Sequence, residues 1–386
     1  MTNSVELFAG TGGLALGLER AGAHHLALYE WDRHSCANLA ANFGGEPARP
    51  EIVCADVRDT DFTAYEGRAD LLAGGPPCQP FSVGGKGMAY NDSRDMFPEA
   101  VRALREIRPK AFVIENVKGL LRKSFSTYFN YIILQLQHPE VAKKAAQTWE
   151  EHLAALEKHH TATRRCKGLE YNVTFRLVDA ADYGVPQRRG RVVIVGFRSD
   201  IDAGWTFPEP THSEAALLYA KWVSFTYWDE HNLPHPDAIP LSDRQISAVR
   251  DACESFLGPK RWRTVRDAIG NLPAPADAEC AGVANHVLRH GAREYPGHTG
   301  SSLDQPSKTI KAGAHGVPGG ENMVRLDDGS LRYYTVRESA RIQTFPDKFV
   351  FTSPWSESMR QIGNAVPVAL AEAIGASVMG KLNSNK

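Results

Sequence analysis

Short apolar runs alternate with helical stretches through the first third of this chain, and no other feature narrows its fold as much. The runs fall at 5–8, 26–30, 52–55, 70–73 and 111–115. Between them, residues 14–21, 34–42 and 97–107 carry helical spacing. Each helix returns the chain so that the next strand points the same way. The pattern therefore predicts an α/β fold with a mostly parallel sheet. Runs at 172–178 and 192–197 add two strands separated by a loop, a hairpin-like edge.

Residues 138–168 read as a helical insertion. Val141, Ala145, Trp149, Leu153 and Leu156 recur at spacings of 4, 4, 4 and 3, one face of an amphipathic helix. The expectation is a surface helix that packs and carries no chemistry. From 199 to 334 the texture changes. That stretch holds 11 of the chain's 23 prolines, and turn signals such as Pro318-Gly319-Gly320 replace the alternation. It predicts a smaller, loop-rich domain. Regular pattern resumes with a helix at 336–343 and a small-residue helix at 368–379 opened by Pro367. The expected division is 1–198, 199–334, and a return of 335–386 to the first domain.

With 386 residues and a net charge of −1, the chain has length for two domains and no global basic character. Contact with nucleic acid would need a local patch. No run approaches the roughly 18 apolar residues of a membrane span, and the N-terminus enters a strand directly. No signal peptide and no membrane partner are expected. Six scattered cysteines include no Cys-x-x-Cys pair, which argues against a disulfide framework or structural zinc and for a reducing cytosol.

Residues 74–82 read Gly-Gly-Pro-Pro-Cys-Gln-Pro-Phe-Ser. Proline fixes φ, so Pro76, Pro77 and Pro80 hold the loop in one shape. A rigid loop that presents the Cys78 thiol after a strand suits a nucleophile. The plainer alternative is a tight turn with an incidental cysteine.

Near the N-terminus, Glu6-Leu7-Phe8-Ala9-Gly10-Thr11-Gly12-Gly13 runs from strand to glycine turn to helix. Such turns admit a ligand at the carboxyl edge of a parallel sheet. Glu30 ends the next strand, where it could bond a ribose diol. Trp31 could stack on adenine, and Asp56 could take the adenine amine. S-adenosylmethionine fits that pocket; a plain nucleotide site is the alternative. A second chemical group stands at 115, where an apolar strand ends in Glu115-Asn116. A carboxylate there is costly unless used or paired. Downstream, Gln187-Arg188-Arg189-Gly190-Arg191 opens a strand within a segment (164–198) of eight Lys/Arg and three Asp/Glu. These arginines are either solvated surface or, as favoured here, contacts for an anion or a base.

Taken in order, these motifs resemble one family over nearly the whole chain: DNA (cytosine-5)-methyltransferases of bacterial restriction–modification type. The resemblance implies a Rossmann-like S-adenosylmethionine-dependent methyltransferase domain, with 199–334 as target-recognition domain. Phe8, Gly10, Gly12 and Gly13 would form the methionine-end loop, with Glu30, Trp31 and Asp56 as ribose and adenine contacts. Pro76 to Ser82 would be the nucleophile loop, followed by Asp92-Ser93-Arg94, with Phe97 near the cofactor. Glu115-Asn116-Val117 matches the acid motif and Gln187-x-Arg189-x-Arg191 the arginine motif. Arg337-x-x-x-Arg341-x-Gln343-x-Phe345-Pro346 resembles the segment that supports the recognition domain. Gln361-Ile362-Gly363-Asn364-Ala365-Val366-Pro367 resembles the motif that closes the cofactor pocket, through Asn364 and Ala365. The implied chemistry has Cys78 attack C6 of a flipped cytosine. Glu115 stabilises the developing charge, Arg189 holds the base O2 and Arg191 orders the site.

Ser82, Arg94, Arg289, Arg293, Lys308, Thr309 and Lys311 are the expected DNA contacts, each alternatively plain surface or a phosphate contact. Thr309-Ile310 resembles a Thr–aliphatic pair common in such recognition domains. The rivals are an RNA cytosine-5 methyltransferase of the same fold, a nucleotide-dependent oxidoreductase, and an idle DNA-binding relative. Ser82 and the large 199–334 region favour duplex DNA. The expected setting is a cytoplasmic monomer acting on double-stranded DNA, with no metal. A cognate restriction endonuclease would act separately.

Overall fold

The apolar runs of the first third become strands of one sheet. A computed structural model describes residues 1–45, 49–77, 95–162, 168–201, 204–253, 258–277, 282–296, 298–312 and 322–384. Strands β1 (Thr2–Leu7), β2 (Ala23–Glu30), β3 (Glu51–Cys54), β4 (Leu71–Gly74), β5 (Ala111–Val117), β6 (Tyr171–Asp179) and β7 (Gly190–Arg198) form a seven-stranded sheet in the order β3-β2-β1-β4-β5-β7-β6. The pairs among β1 to β5 are parallel, and β7 runs antiparallel to β5. The carboxyl ends of β1, β2, β4 and β5 therefore share one edge. The connectivity reverses between β1 and β4, the place where open α/β sheets bind ligands.

Helices α1 (Gly13–Arg20), α2 (Arg33–Phe43), α3 (Phe97–Ile107), α4 (Ser126–Gln137) and α5 (Trp149–His160) belong with this sheet. Val5, Leu7, Ala27, Phe97, Leu104, Phe112, Ile114, Val192 and Ile194 meet in its core. The near-continuous burial of β1, β4 and β5 is the signature of strands covered on both faces.

Three expectations need correction. The insertion does not form one long helix, because α5 begins only at Trp149. Thr148 stops it there with a capping box, accepting from Glu151 N while the Glu151 side chain returns to Thr148 N. Val141 instead lies in a turn, its N–H on His138 O and its carbonyl taking His152 Nε2.

The domain limits also move. The chain forms two compact units, one of residues 1–178, 190–207 and 371–386, the other of 179–189 and 208–370. Residues 335–370 stay with the second unit because they are bonded into it. Arg341 Nη1 donates to Ala268 O, and the buried Arg337 donates to the carbonyls of Ala284, Pro346 and Phe349.

Last, the stretch Trp355–Ser384 is long and apolar enough to cross a membrane, with a mean hydropathy of 1.5 in its richest window. The sequence was expected to hold no such run. Of that window, 61% is buried within the protein, and Pro367 separates its two helices, Trp355–Asn364 and Val368–Ser384. That is how core helices of a folded chain look.

Candidate active site at the carboxyl edge of the sheet

Where β1 ends, the backbone turns through Phe8 (φ 55°), Gly10 (φ 55°) and Gly12 (φ 87°), all left-handed. Only glycine takes this conformation without strain. At Gly12 the space is closed as well: a Cβ would lie 2.6 Å from the Phe43 ring and 2.9 Å from Leu39. At Gly10 a Cβ would meet nothing within 4 Å, so the turn leaves room beside its backbone. Gly12 caps α1, and Gly13 is its first residue.

Glu30, at the end of β2, is buried and faces this turn. Its carboxylate accepts from Gly10 N at 2.8 Å and from Trp31 N and Asp32 N at 2.9 Å each. Burial pushes the Glu30 carboxyl up, against the pull of those N–H groups. Three bonds use most of a carboxylate's roughly four acceptor positions and leave one for a ligand hydroxyl. Trp31 is 70% exposed, unusual for so large an apolar ring. Space beside Gly10, a carboxylate with one acceptor position left and an exposed indole suit an adenosine-bearing cofactor.

Two expected cofactor contacts are engaged within the protein in this structure. Asp56 gives both oxygens to Arg58, at 3.0 Å to Nε and 2.5 Å to Nη2, and caps the turn Val57–Asp59. Phe97 is wholly buried in the sheet's core.

The second cluster lies at the ends of β4 and β5. Register sets Gly74 beside Ile114, so Gly75 comes abreast of Glu115, and a Cβ there would lie 3.7 Å from Glu115 Oε2. Asn116 Nδ2 donates to Pro76 O at 3.0 Å. The acid motif thereby ties down the backbone that leads into the cysteine loop. Pro76 itself is buried. Cys78, Ser82 and Arg94 lie outside the described residues.

Across the antiparallel pair, Arg191 stands opposite Val117 and diagonal to Glu115, on the same face of the sheet. Its Nε reaches Glu115 Oε1 at 2.7 Å, both side chains nearly buried. Burial pulls the Arg191 guanidinium down and Glu115 opposes that pull. The pair holds Glu115 in place on a strand of the sheet.

Arg189 is a different matter and corrects the expectation of a base contact. Its side chain is completely buried in the second unit. Nη1 donates to Ile310 O at 3.0 Å, and Nη2 to Gly363 O and Ala365 O at 2.7 and 2.9 Å. Gln187 and Gln343 extend the network: Gln187 Nε2 donates to Gln343 Oε1, Ile310 N to Gln187 Oε1, and Gln343 Nε2 to Ile362 O. This is a buried strut for three loops. Both glutamines appear in the sequence motifs, yet nothing in the pattern separates a strut from a ligand contact.

Thr309 is likewise a fastener, its hydroxyl donating to Arg188 O at 2.6 Å. Arg289 is exposed and sits over the Trp355 ring at 5.3 Å, and Arg293 is exposed. Lys308 and Lys311 are exposed as well, with Lys308 Nζ on Thr299 Oγ1. Asn364 is exposed beside the buried Ala365. One buried carboxyl escaped the sequence reading. Glu6, within β1, is 1% exposed, and burial raises its pKa well above the usual range. A single acid inside an apolar strand was its only signal.

A family model described as C-5 cytosine-specific DNA methylase matches residues 2–139 and 152–380. The type II methyltransferase M.Eco47II of Escherichia coli is 34% identical over 388 residues, covering 98% of this chain and 79% of that protein. M.PspPI of a Psychrobacter species is 33% identical with the same coverage. A crystal structure of Spodoptera frugiperda DNMT2 shares the fold, with a TM-score of 0.57 at 15% identity over 99% of this chain and 100% of that one. Sheet, turn and paired acid thus agree with the matches over nearly the full length, and the chain belongs to the C-5 cytosine-specific DNA methylases, a family of DNA cytosine-5 methyltransferases.

Proposed function

We propose that this enzyme methylates C5 of a cytosine flipped out of duplex DNA, with S-adenosylmethionine as donor and a covalent bond from Cys78 to C6 as the intermediate. The observation that carries the proposal is the tie of Glu115-Asn116 to both Arg191 and the Pro76 carbonyl. It sets a held carboxyl beside the start of the cysteine loop. Gly10, Gly12, Gly13, Glu30 and Trp31 would hold the cofactor, which supplies an electrophilic sulfonium methyl when bound.

Cytosine C5 is a weak nucleophile until electrons are pushed onto it. The Cys78 thiolate adds to C6 and forms a C–S bond. The ring electrons move toward C5 while Glu115 donates a hydrogen bond or proton at N3, so charge does not build on the ring. With the donor bound, C5 would take its methyl group as the methyl–sulfur bond breaks and the electron pair stays on sulfur. Removal of the C5 proton by a base restores the C5–C6 double bond, breaks the C–S bond to free the Cys78 thiolate, and any proton given to N3 returns to Glu115. Arg191 keeps Glu115 oriented throughout. The target carbon is out of reach in a stacked duplex, hence the flipping.

The exposed Arg289, Arg293, Lys308 and Lys311 of the second unit are proposed DNA contacts. The type II names of the similar proteins support a role in protecting a bacterial host's DNA, in the cytoplasm, from a separately acting restriction endonuclease. The test is to incubate the protein with S-adenosylmethionine and unmethylated genomic DNA, with transfer RNA in parallel, and to map 5-methylcytosine at base resolution. Methylation at one short DNA motif supports the reading and names the site. Methylation of RNA alone overturns the choice of substrate.

A further inference from the structure

The segment that begins at 138 has no part in the chemistry above, yet it gathers three histidines and a glutamate. His138 follows the last residue of α4, His159 and His160 end α5, and Glu170 directly precedes β6. We propose that His138, His159 and Glu170 bind one divalent first-row transition ion of the zinc type, which fastens the ends of two helices to the sheet.

The geometry is close to that of a coordination sphere. His138 Nδ1 lies 3.5 Å from Glu170 Oε1, and His159 Nε2 lies 3.8 Å from the same oxygen. The ligand atoms of His138, His159 and Glu170 all fall within 4.8 Å of one another. Ligands about 2.0–2.2 Å from a tetrahedral ion sit roughly 3.4 Å apart, so a small inward rotation of the more exposed His159 completes the set. The fourth position would be taken by water.

His138 carries the strongest argument. Among the described residues its Nδ1 is buried without a hydrogen-bond partner, and it stands 3.5 Å from a carboxylate oxygen, at the outer limit of hydrogen-bond distance. Its other nitrogen, Nε2, lies 2.9 Å from His160 Nδ1. In the tautomer that the proposal assigns, Nε2 donates its proton to His160 and Nδ1 carries a bare lone pair. A lone pair aimed at a carboxylate is repulsive unless a cation stands between them. A second imidazole that fixes the tautomer of the first is the usual outer support of a metal-bound histidine. His160 plays that part and is not itself a ligand.

A further feature favours a cation. Both α4 and α5 end at the cluster, and helix carboxyl ends carry partial negative charge. Nitrogen and carboxylate donors suit zinc, nickel or copper and not magnesium. His159 and Glu170 are partly exposed, which gives the ion a path in. Chain-level reading passed over this site because its donors lie on three elements and include none of the cysteines expected of structural zinc.

The experiment uses full-length, tag-free protein freed of metal with a chelator, then dialysed against Zn2+ or Mg2+, with bound metal and melting temperature measured. Wild type is expected to retain one equivalent of Zn2+, not Mg2+, and to melt higher with it. Co2+ in its place should give the visible absorption of a four- or five-coordinate ion. His159→Ala and Glu170→Gln touch the exposed half of the site, and circular dichroism checks their folding. Each should weaken Zn2+ binding at least about tenfold and abolish both the melting shift and the Co2+ spectrum. Wild type that retains no Zn2+, or variants that bind it as wild type does, would overturn the proposal. Neither result depends on methyl transfer.

Discussion

Arg189 and Arg191 stand two residues apart, and the structure gives them opposite partners. Arg191 meets a carboxylate, Glu115, at the open edge of the sheet. Arg189 donates to backbone carbonyls, those of Ile310, Gly363 and Ala365, in the interior of the second unit. Both are buried cations and both belong to one sequence motif. A charge paired with a reactive group tunes that group, whereas a charge bonded to carbonyls fixes loops. The motif therefore places one arginine on a strand-end carboxylate, the proposed positioning group, and the other on backbone carbonyls.

The comparison can be broken experimentally. The largest effect is expected from Cys78→Ala, which removes the proposed nucleophile while both arginine environments stay intact. Transfer of radiolabelled methyl groups to DNA should vanish while cofactor binding, measured by calorimetry, persists. Full activity in that variant would defeat the mechanism outright. Glu115→Gln comes next. It keeps the shape and loses the carboxylate, and single-turnover methylation should slow by about 10²–10⁴-fold with DNA affinity nearly unchanged. A near-normal rate would remove Glu115 from the acid role and make its pair with Arg191 merely structural.

Arg189→Met sharpens the contrast from the other side. Three carbonyls lose their donors, and the protein should lose about 3 kcal/mol of stability, read as a lower denaturation midpoint. Turnover per folded molecule should change little. A collapse of turnover without loss of stability would return Arg189 to the reacting base. The smallest effect is expected from Arg289→Ala, at an exposed position stacked on Trp355. DNA binding should weaken by about 1–3 kcal/mol if the residue reads a base, with altered preference at one position of the site. Uniform weakening with a shallower salt dependence would make it a phosphate contact instead.

Much of the first unit was legible in the chain. The strands fell where apolar runs predicted them, because a parallel strand buried on both faces must be apolar throughout. The turn at 10–13 was legible because left-handed backbone at Gly10 and Gly12 favours glycine, and at Gly12 a neighbouring ring leaves no room for a Cβ. Glu115 and Arg191 were legible as polar groups at the ends of apolar strands. The intramolecular contacts of Asp56, Phe97, Arg189 and Thr309 were not. A sequence motif records that a residue type is needed and not which atom needs it.

The sequence by itself determined the α/β class, the order of the elements and the family, since these follow from periodicity and from motifs local to a few residues. Only the tertiary structure decided which member of a charged motif faces a reactive group and which faces a carbonyl. It also decided that the helical pattern after 138 would be cut short at Thr148, and that His138, His159 and Glu170 would meet. Those outcomes depend on the register of β5 against β7 and on where helices end, and partners brought together across tens of residues leave no periodic trace in the chain.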